Sequence, residues 1–318
     1  MPIIKILDVE SIVSYKERLI QYIFESFKNT MYMESYSYKD AESKYEDLLL
    51  YTTEKKAIVY GAVEENELIG FIWAYKYPFR DDQSRLYISI LHIDEKYRNM
   101  HIGRQLLYEV ENYAKKIEMH TIYLHAEACN TGAVKFYQRN GYDVERIQLV
   151  KKNLEEWKGE ESNSGNTGGG VYELDKNDIR NFNKSLIELF MINTRAHILT
   201  DCFDETWAKK KIEELEDYVK ERKAIVYGAF HKGNLIGFMW VFPYAYRRQK
   251  RYLLNAITVF PEYRGNNIAN ELFRSVENHL KNQVLYTLVD KANERAYRFY
   301  QNQGMKEEAY QFVKVLKR

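Results

Sequence analysis

The sequence predicts an α/β fold built twice. Two tandem domains are expected, each a mixed central sheet flanked by helices in the order β-α-α-β-β-β-α-β-α-β. Three observations carry this. KAIVYGA at 56–62 recurs letter for letter at 223–229, LIGF at 68–71 returns at 235–238, and NTGAVKFYQRNG at 130–141 returns as NERAYRFYQNQG at 293–304. An offset near 165 residues is far too long for a solenoid unit and is long enough for a domain that closes its own core. Within each copy, short apolar runs alternate with segments whose apolar residues recur at helical spacing. Between the copies, GEESNSGNTGGG at 159–170 holds no large apolar residue and cannot contribute to a core. Domains are therefore expected at 1–157 and 171–318, joined by a Gly/Ser-rich linker over 158–170.

The elements follow in order. IIKIL at 3–7 reads as a short strand, and Ile12, Leu19, Ile20, Ile23, Phe24 and Phe27 share one helical face. A more polar helix is expected around 40–51. AIVYGAVEENELIGFIWAYKY reads as a hairpin turning at Glu65-Asn66, with a third meander strand at 85–93. A helix at 102–117, a strand at 121–127, a helix at 131–139 and a final strand pair to about 152 complete the copy. The second copy repeats this with a strand at 171–174, helices within 178–222 and strands at 224–230, 235–243 and 252–259. A helix at 268–281, a strand at 284–289, a helix at 293–302 and a closing strand at 308–316 follow. The later strand of each copy returns through a helical crossover.

Composition excludes several classes. Forty-seven Lys and Arg stand against 46 Asp and Glu, which leaves no electrostatic case for a nucleic-acid partner. Two cysteines, Cys129 and Cys202, have neither metal-site spacing nor a disulfide framework, so no metal is expected. Neither a signal peptide nor an apolar run of spanning length is evident, so a cytoplasmic protein without a membrane partner is expected.

Two kinds of strand-to-helix junction carry the chemistry. LHIDEKYRNMHIGRQLL (91–107) and ITVFPEYRGNNIANELF (257–273) each join an apolar strand to an amphipathic helix through a short basic turn. Backbone N–H groups at such a turn, with the helix N-terminus behind them, suit a pyrophosphate. At the next junction, Asn130-x-x-Ala133-x-x-Phe136-Tyr137 recurs as Asn293-x-x-Ala296-x-x-Phe299-Tyr300. Asn130 and Asn293 are good helix N-caps in any case, and both tyrosines could serve as packing aromatics.

Together these elements resemble the GNAT superfamily of N-acyltransferases, whose phosphate turn reads R/Q-x-x-G-x-G/A after a strand of the type L-x-V-x-P-x-Y-R. Copy two matches at Val259, Pro261, Tyr263, Arg264 and Ala269, with Gly265 alongside. Copy one matches at Leu91, Ile93, Tyr97, Arg98 and Gly103. Both depart at the middle glycine, replaced by His101 and Asn267, two residue types that tolerate positive φ better than most. The resemblance implies acetyl-coenzyme A as cofactor, held between splayed strands at 85–93 and 121–127, or 252–259 and 284–289. Its phosphates would meet the turns Arg98, His101, Ile102, Gly103 and Arg104, or Arg264, Gly265, Asn267, Ile268, Ala269 and Asn270. A backbone N–H near Ile93 or Val259 would polarise the thioester carbonyl, Tyr137 or Tyr300 would protonate the leaving thiolate, and Asn130 or Asn293 would hold the pantetheine or the local turn. A small-molecule or peptide amine would attack directly in a ternary complex, with at least one copy active.

The base is open. Glu127 and Asp290 hold the same place, three residues before the asparagine, where a carboxylate could take a proton or simply lie solvated at a strand end. His92, His125 and His197 are further candidates. RRQKR at 247–251 reads as a charged loop that could steer an anion. The acceptor wall is expected where the copies diverge most, at 29–40 and 193–207. The two domains are expected to dock as a pseudo-dimer. The alternative function is a non-catalytic acyl-coenzyme-A-binding or regulatory protein of the same fold.

Overall fold

The computed structural model describes residues 2–28, 36–76, 85–152, 169–194, 204–246 and 249–316. In chain order the described residues form β1 (Ile3–Ile6), α1 (Val9–Ser14), α2 (Lys16–Lys28), α3 (Tyr38–Thr53), β2 (Ala57–Glu64), β3 (Glu67–Lys76), β4 (Arg85–Ile93), α4 (Ile102–Lys116), β5 (Thr121–Glu127), α5 (Thr131–Arg139) and β6 (Asp143–Lys151). There follow β7 (Gly170–Glu173), α6 (Lys176–Asn181), α7 (Asn183–Thr194), α8 (Glu205–Lys220), β8 (Ile225–His231), β9 (Asn234–Tyr246), β10 (Gln249–Val259), α9 (Ile268–His279), β11 (Leu285–Asp290), α10 (Glu294–Asn302) and β12 (Lys306–Val315). The α/β class and the doubling are as the sequence predicts. The first helix differs, because it breaks at Tyr15, where the Ser14 hydroxyl bonds the Ser11 carbonyl and competes with the helical ladder. The strand pair expected before 152 is a single strand, β6.

The chain forms two compact units, and they are not the linear halves. Unit 1 is Met1–Ile147 with Glu308–Arg318, and unit 2 is Gln148–Glu307. The boundaries at 157 and 171 therefore miss how strands are shared out. The last strand of the chain, β12, pairs antiparallel with β5 of the first copy, with Phe312 opposite Leu124. The end of β6 joins unit 2, where its sheet neighbour is β11. The sheet order is β1-β2-β3-β4-β5-β12 in unit 1 and β6-β11-β10-β9-β8-β7 in unit 2. Most of the linker at 158–170 lies outside the described residues.

In both copies the second and third meander strands place the site. β4 runs parallel to β5 only from Arg85 to Ile88, and β10 runs parallel to β11 only over Tyr252 and Leu253. Beyond these points the strands part. A one-residue bulge marks the parting in each copy, at Ser89 between Trp73 and Ala74 of β3, and at Asn255 opposite Trp240 and Val241 of β9. The repeated LIGF motif has a steric reason. A Cβ at Gly70 would meet the His92 carbonyl oxygen at 2.8 Å, and one at Gly237 would meet that of Thr258 at 3.0 Å. Only glycine lets these backbones approach so closely just where the neighbouring strands separate. In unit 1, α4 packs Leu106, Leu107 and Val110 onto one sheet face beside Tyr137 and Phe312, while α2 and α3 cover another cluster around Trp73 and Ile90.

Candidate active site

Each strand that parts from its neighbour ends in a one-turn 3-10 helix, Glu95–Tyr97 or Pro261–Tyr263. The arginine after it turns back on the strand. Arg98 Nε donates to the Ile93 carbonyl at 3.3 Å and Arg264 Nε to the Val259 carbonyl at 3.0 Å. The residues at the missing glycine are left-handed, with φ 60° at His101 and 64° at Asn267, so the turn keeps the glycine conformation without glycine. The other difference between the turns is sterically neutral. A Cβ on Gly103 would meet Phe136 at no less than 3.5 Å, ordinary contact, and copy two carries Ala269 there.

The helices behind the turns stand apart electrostatically. α1, α5, α6, α8 and α10 are capped by the side chains of Asp8, Asn130, Asp175, Asp204 and Asn293. α4 and α9 have no side-chain cap, which leaves first-turn N–H groups for an anion. The asparagines are thus helix caps, accepting from Ala133 and Ala296 N–H at 3.1 Å each. Ile102 is only 2% exposed and joins the core, so its backbone N–H alone could face a ligand. Asn270 is spent on the turn itself, donating to Asn267 and accepting from Gln303.

In copy two these parts share one cleft of about 760 Å³. Val259, the turn residues Arg264, Gly265, Asn267, Ile268, Ala269 and Asn270, and Asp290, Asn293 and Tyr300 all line it. Several lining residues escaped sequence reasoning. Arg295 stands beside Arg264, and burial together with that second cation lowers the Arg264 pKa. Copy one has Gly132 at the corresponding place, so the repeat itself held the signal. Asn255 reaches the cleft through its bulge, and Thr287 through a bond from its hydroxyl to the Leu254 carbonyl at 3.0 Å.

The tyrosines are enclosed. Tyr300 is 7% exposed; burial pushes its hydroxyl up to about 12, and a hydrogen bond with Thr287 opposes the rise. Tyr137 is buried among Phe136, Tyr142 and Phe312, which with the nearby Tyr87 holds its pKa well above the usual phenol value. Both phenols are therefore protonated at neutral pH. Glu127 and Asp290 end β5 and β11 and are buried, at 8% and 2% exposure, so the solvated strand-end reading is corrected. His125 is exposed beside the Tyr87 ring. His92 is buried, and its pKa falls to about 4 because burial disfavours the cation; Glu25 opposes and Arg98 adds to the shift. His197 lies outside the described residues. The charged loop at 247–251 is corrected at its end, since Arg251 is fully buried in β10, while 247–248 lie outside the described residues.

Each copy thus has a parted parallel strand pair, an uncapped helix N-terminus and a buried tyrosine. The profile of the acetyltransferase (GNAT) family matches residues 20–142 and 192–305, and the chain belongs to that family. The chain is similar to the probable N-acetyltransferase san of Drosophila melanogaster, 34% identical over 65 residues, which are 20% of this chain and 35% of that protein. It thus spans about a third of that relative's length. Its fold is similar to a GCN5-related N-acetyltransferase from Sphaerobacter thermophilus (TM-score 0.59, 15% identity, 100% and 96% of the two chains). It is also similar to a tandem GNAT protein from the clavulanic acid biosynthesis pathway (TM-score 0.52, 12% identity, 100% and 99%). No helix among the described residues is long and apolar enough to cross a membrane.

Proposed function

We propose that this protein is an acetyl-coenzyme A-dependent N-acetyltransferase acting on a primary amine, with copy two as a working site. One observation carries the reading: the arginine turn, the uncapped α9 N-terminus and Tyr300 line a single cleft where β10 and β11 part. The cleft fits the cofactor's chemistry, since two neighbouring arginines and bare N–H groups favour a polyanion while Ile257, Leu288 and Val289 suit an apolar arm. When bound, acetyl-coenzyme A supplies an activated acyl thioester.

The chain's own groups do the rest. Arg264, Arg295 and the N–H groups of Ile268 and Ala269 hold the phosphates. A backbone N–H near Val259 donates to the carbonyl oxygen where negative charge develops. Tyr300, kept protonated by burial, gives its proton to the departing sulfur. Asp290, at the buried end of β11, receives the proton of the attacking amine, directly or through water. In copy one the same roles fall to Arg98, the Ile102 and Gly103 N–H groups, Tyr137 and Glu127. Cytoplasmic location belongs to this proposal.

Calorimetric titration of acetyl-coenzyme A tests it in wild type, Arg98→Glu and Arg264→Glu. Binding in wild type and its loss from copy two in Arg264→Glu are expected. Absence of binding heat in all three forms overturns the enzyme reading and the binding-protein alternative alike.

A further inference from the structure

Copy one places different chemistry at the positions that correspond to Ile192, Asn193 and Thr258 of the copy-two cleft. α2 and α7 begin at the same point of the repeat, each directly after the residue ending a six-residue helix, Tyr15 or Phe182. In that register Glu25 corresponds to Ile192 and Ser26 to Asn193. The contacts agree: Ser26 Oγ lies 3.1 Å from His92 Nδ1, and Thr258 Oγ1 donates to Asn193 Oδ1 at 3.2 Å, each strand residue being the one before Ile93 or Val259. Ile192, Asn193 and Thr258 line the copy-two cleft. Glu25, Ser26 and His92 are their counterparts.

The hydrogen bonds assign the imidazole tautomer. Ser26 gives its own hydroxyl proton to the Tyr22 carbonyl at 2.7 Å, so it accepts from His92 Nδ1–H. Nε2 then presents a lone pair. That atom is buried, makes no hydrogen bond among the described residues, and lies 3.4 Å from Glu25 Oε2. Two acceptors face each other with no donor between them. Glu25 Oε1 accepts from the Gln21 amide at 3.0 Å, and the neighbouring Arg18 is taken by Asp94 at 2.9 Å. Glu25, with its side chain 30% exposed, meets no lysine or arginine among the described residues. A half-buried carboxylate beside a bare imidazole nitrogen favours a ligand that brings positive charge and N–H donors.

We propose that Glu25, backed by His92, is a specificity-determining carboxylate of copy one, selecting acceptors that carry a second amine, protonated at neutral pH, besides the reacting one. Copy two, with Ile192 in that place, takes acceptors with an uncharged flank. This rests on the reading of each copy as an acetyl-transfer site.

The test compares 1,4-diaminobutane with butylamine, which differ by one ammonium. Each is titrated calorimetrically into full-length wild type, Glu25→Gln and Ile192→Glu saturated with coenzyme A, and initial acetylation rates are measured on the same set. Glu25→Gln should weaken diamine binding about tenfold, the scale of a charged hydrogen bond, and leave butylamine within about twofold. Ile192→Glu should add a second diamine site. Equal diamine affinity in wild type and Glu25→Gln, or equal weakening of both amines, overturns the proposal. Failure of acetylation with every amine would refute the transferase reading instead, while the binding comparison still decides the role of Glu25.

Discussion

Replacing Phe312 by Ala should damage the first copy, although this residue lies in the last seven of the chain. Phe312 is fully buried, stands opposite Leu124 in the β5–β12 ladder, and packs 5.9 Å from the Tyr137 ring in the cluster that holds α4 to the sheet. Removing a buried phenyl ring costs about 3–5 kcal/mol in lost transfer energy and residual cavity. Each 1.4 kcal/mol is a factor of ten, so local opening of unit 1 should become at least roughly a hundredfold more frequent. Hydrogen exchange read by mass spectrometry should show this loss of protection in β5 and α5, with β11 and α10 unchanged. The mirror variant is Leu149→Ala, fully buried in the part of β6 that belongs to unit 2, where Lys151 also pairs with Glu277. It should cost about 2–5 kcal/mol and expose β11 instead. If Phe312→Ala loosens β11 and α10 while β5 stays protected, the strand assignment is wrong.

Other outcomes follow from the site. Tyr300→Phe should cut turnover about 10²- to 10⁴-fold with folding intact by circular dichroism, and no rate–pH limb from Tyr300 should be seen until about pH 12; undiminished turnover would remove it as the acid. His101→Gly relieves a left-handed backbone, worth about 1 kcal/mol, against roughly half that in unfolded-chain entropy. A small rise in the urea midpoint is expected, and a fall would mean that the imidazole makes contacts outweighing the strain. His92 has a folded pKa near 4 against 6.5 unfolded, so the unfolded chain binds more protons between these values. Stability should therefore be full above pH 6.5 and decline by about 3 kcal/mol as pH falls to 4. His92→Gln should flatten that slope in pH-dependent urea melts, and an unchanged slope would assign the acid loss to other groups.

Much of the candidate site can be located from the sequence because its parts are local signals. The basic turns, the Asn caps and the tyrosines sit at fixed spacing within single strand-turn-helix segments, and backbone propensity alone places them. Burial was not legible. Glu127 and Asp290 look like strand-end carboxylates in sequence, and their exposure depends on what packs over the end of the strand. Arg251 reads as part of a charged run and is nevertheless interior to β10. Asn255 enters the cleft through a bulge, a register event between two strands that neither strand announces by itself.

The sequence alone determined that there are two copies, that each alternates strand and helix, and that each has an arginine turn before an amphipathic helix. Repetition, periodicity and turn chemistry act over a few residues, so they survive in one dimension. Only the tertiary structure decided that β12 completes unit 1, that β4 and β10 part from their neighbours at a bulge, and that Glu25 corresponds in copy one to Ile192 in copy two. Strand pairing and helix-to-strand contact join residues far apart in the chain, and their energies are settled by which surfaces meet.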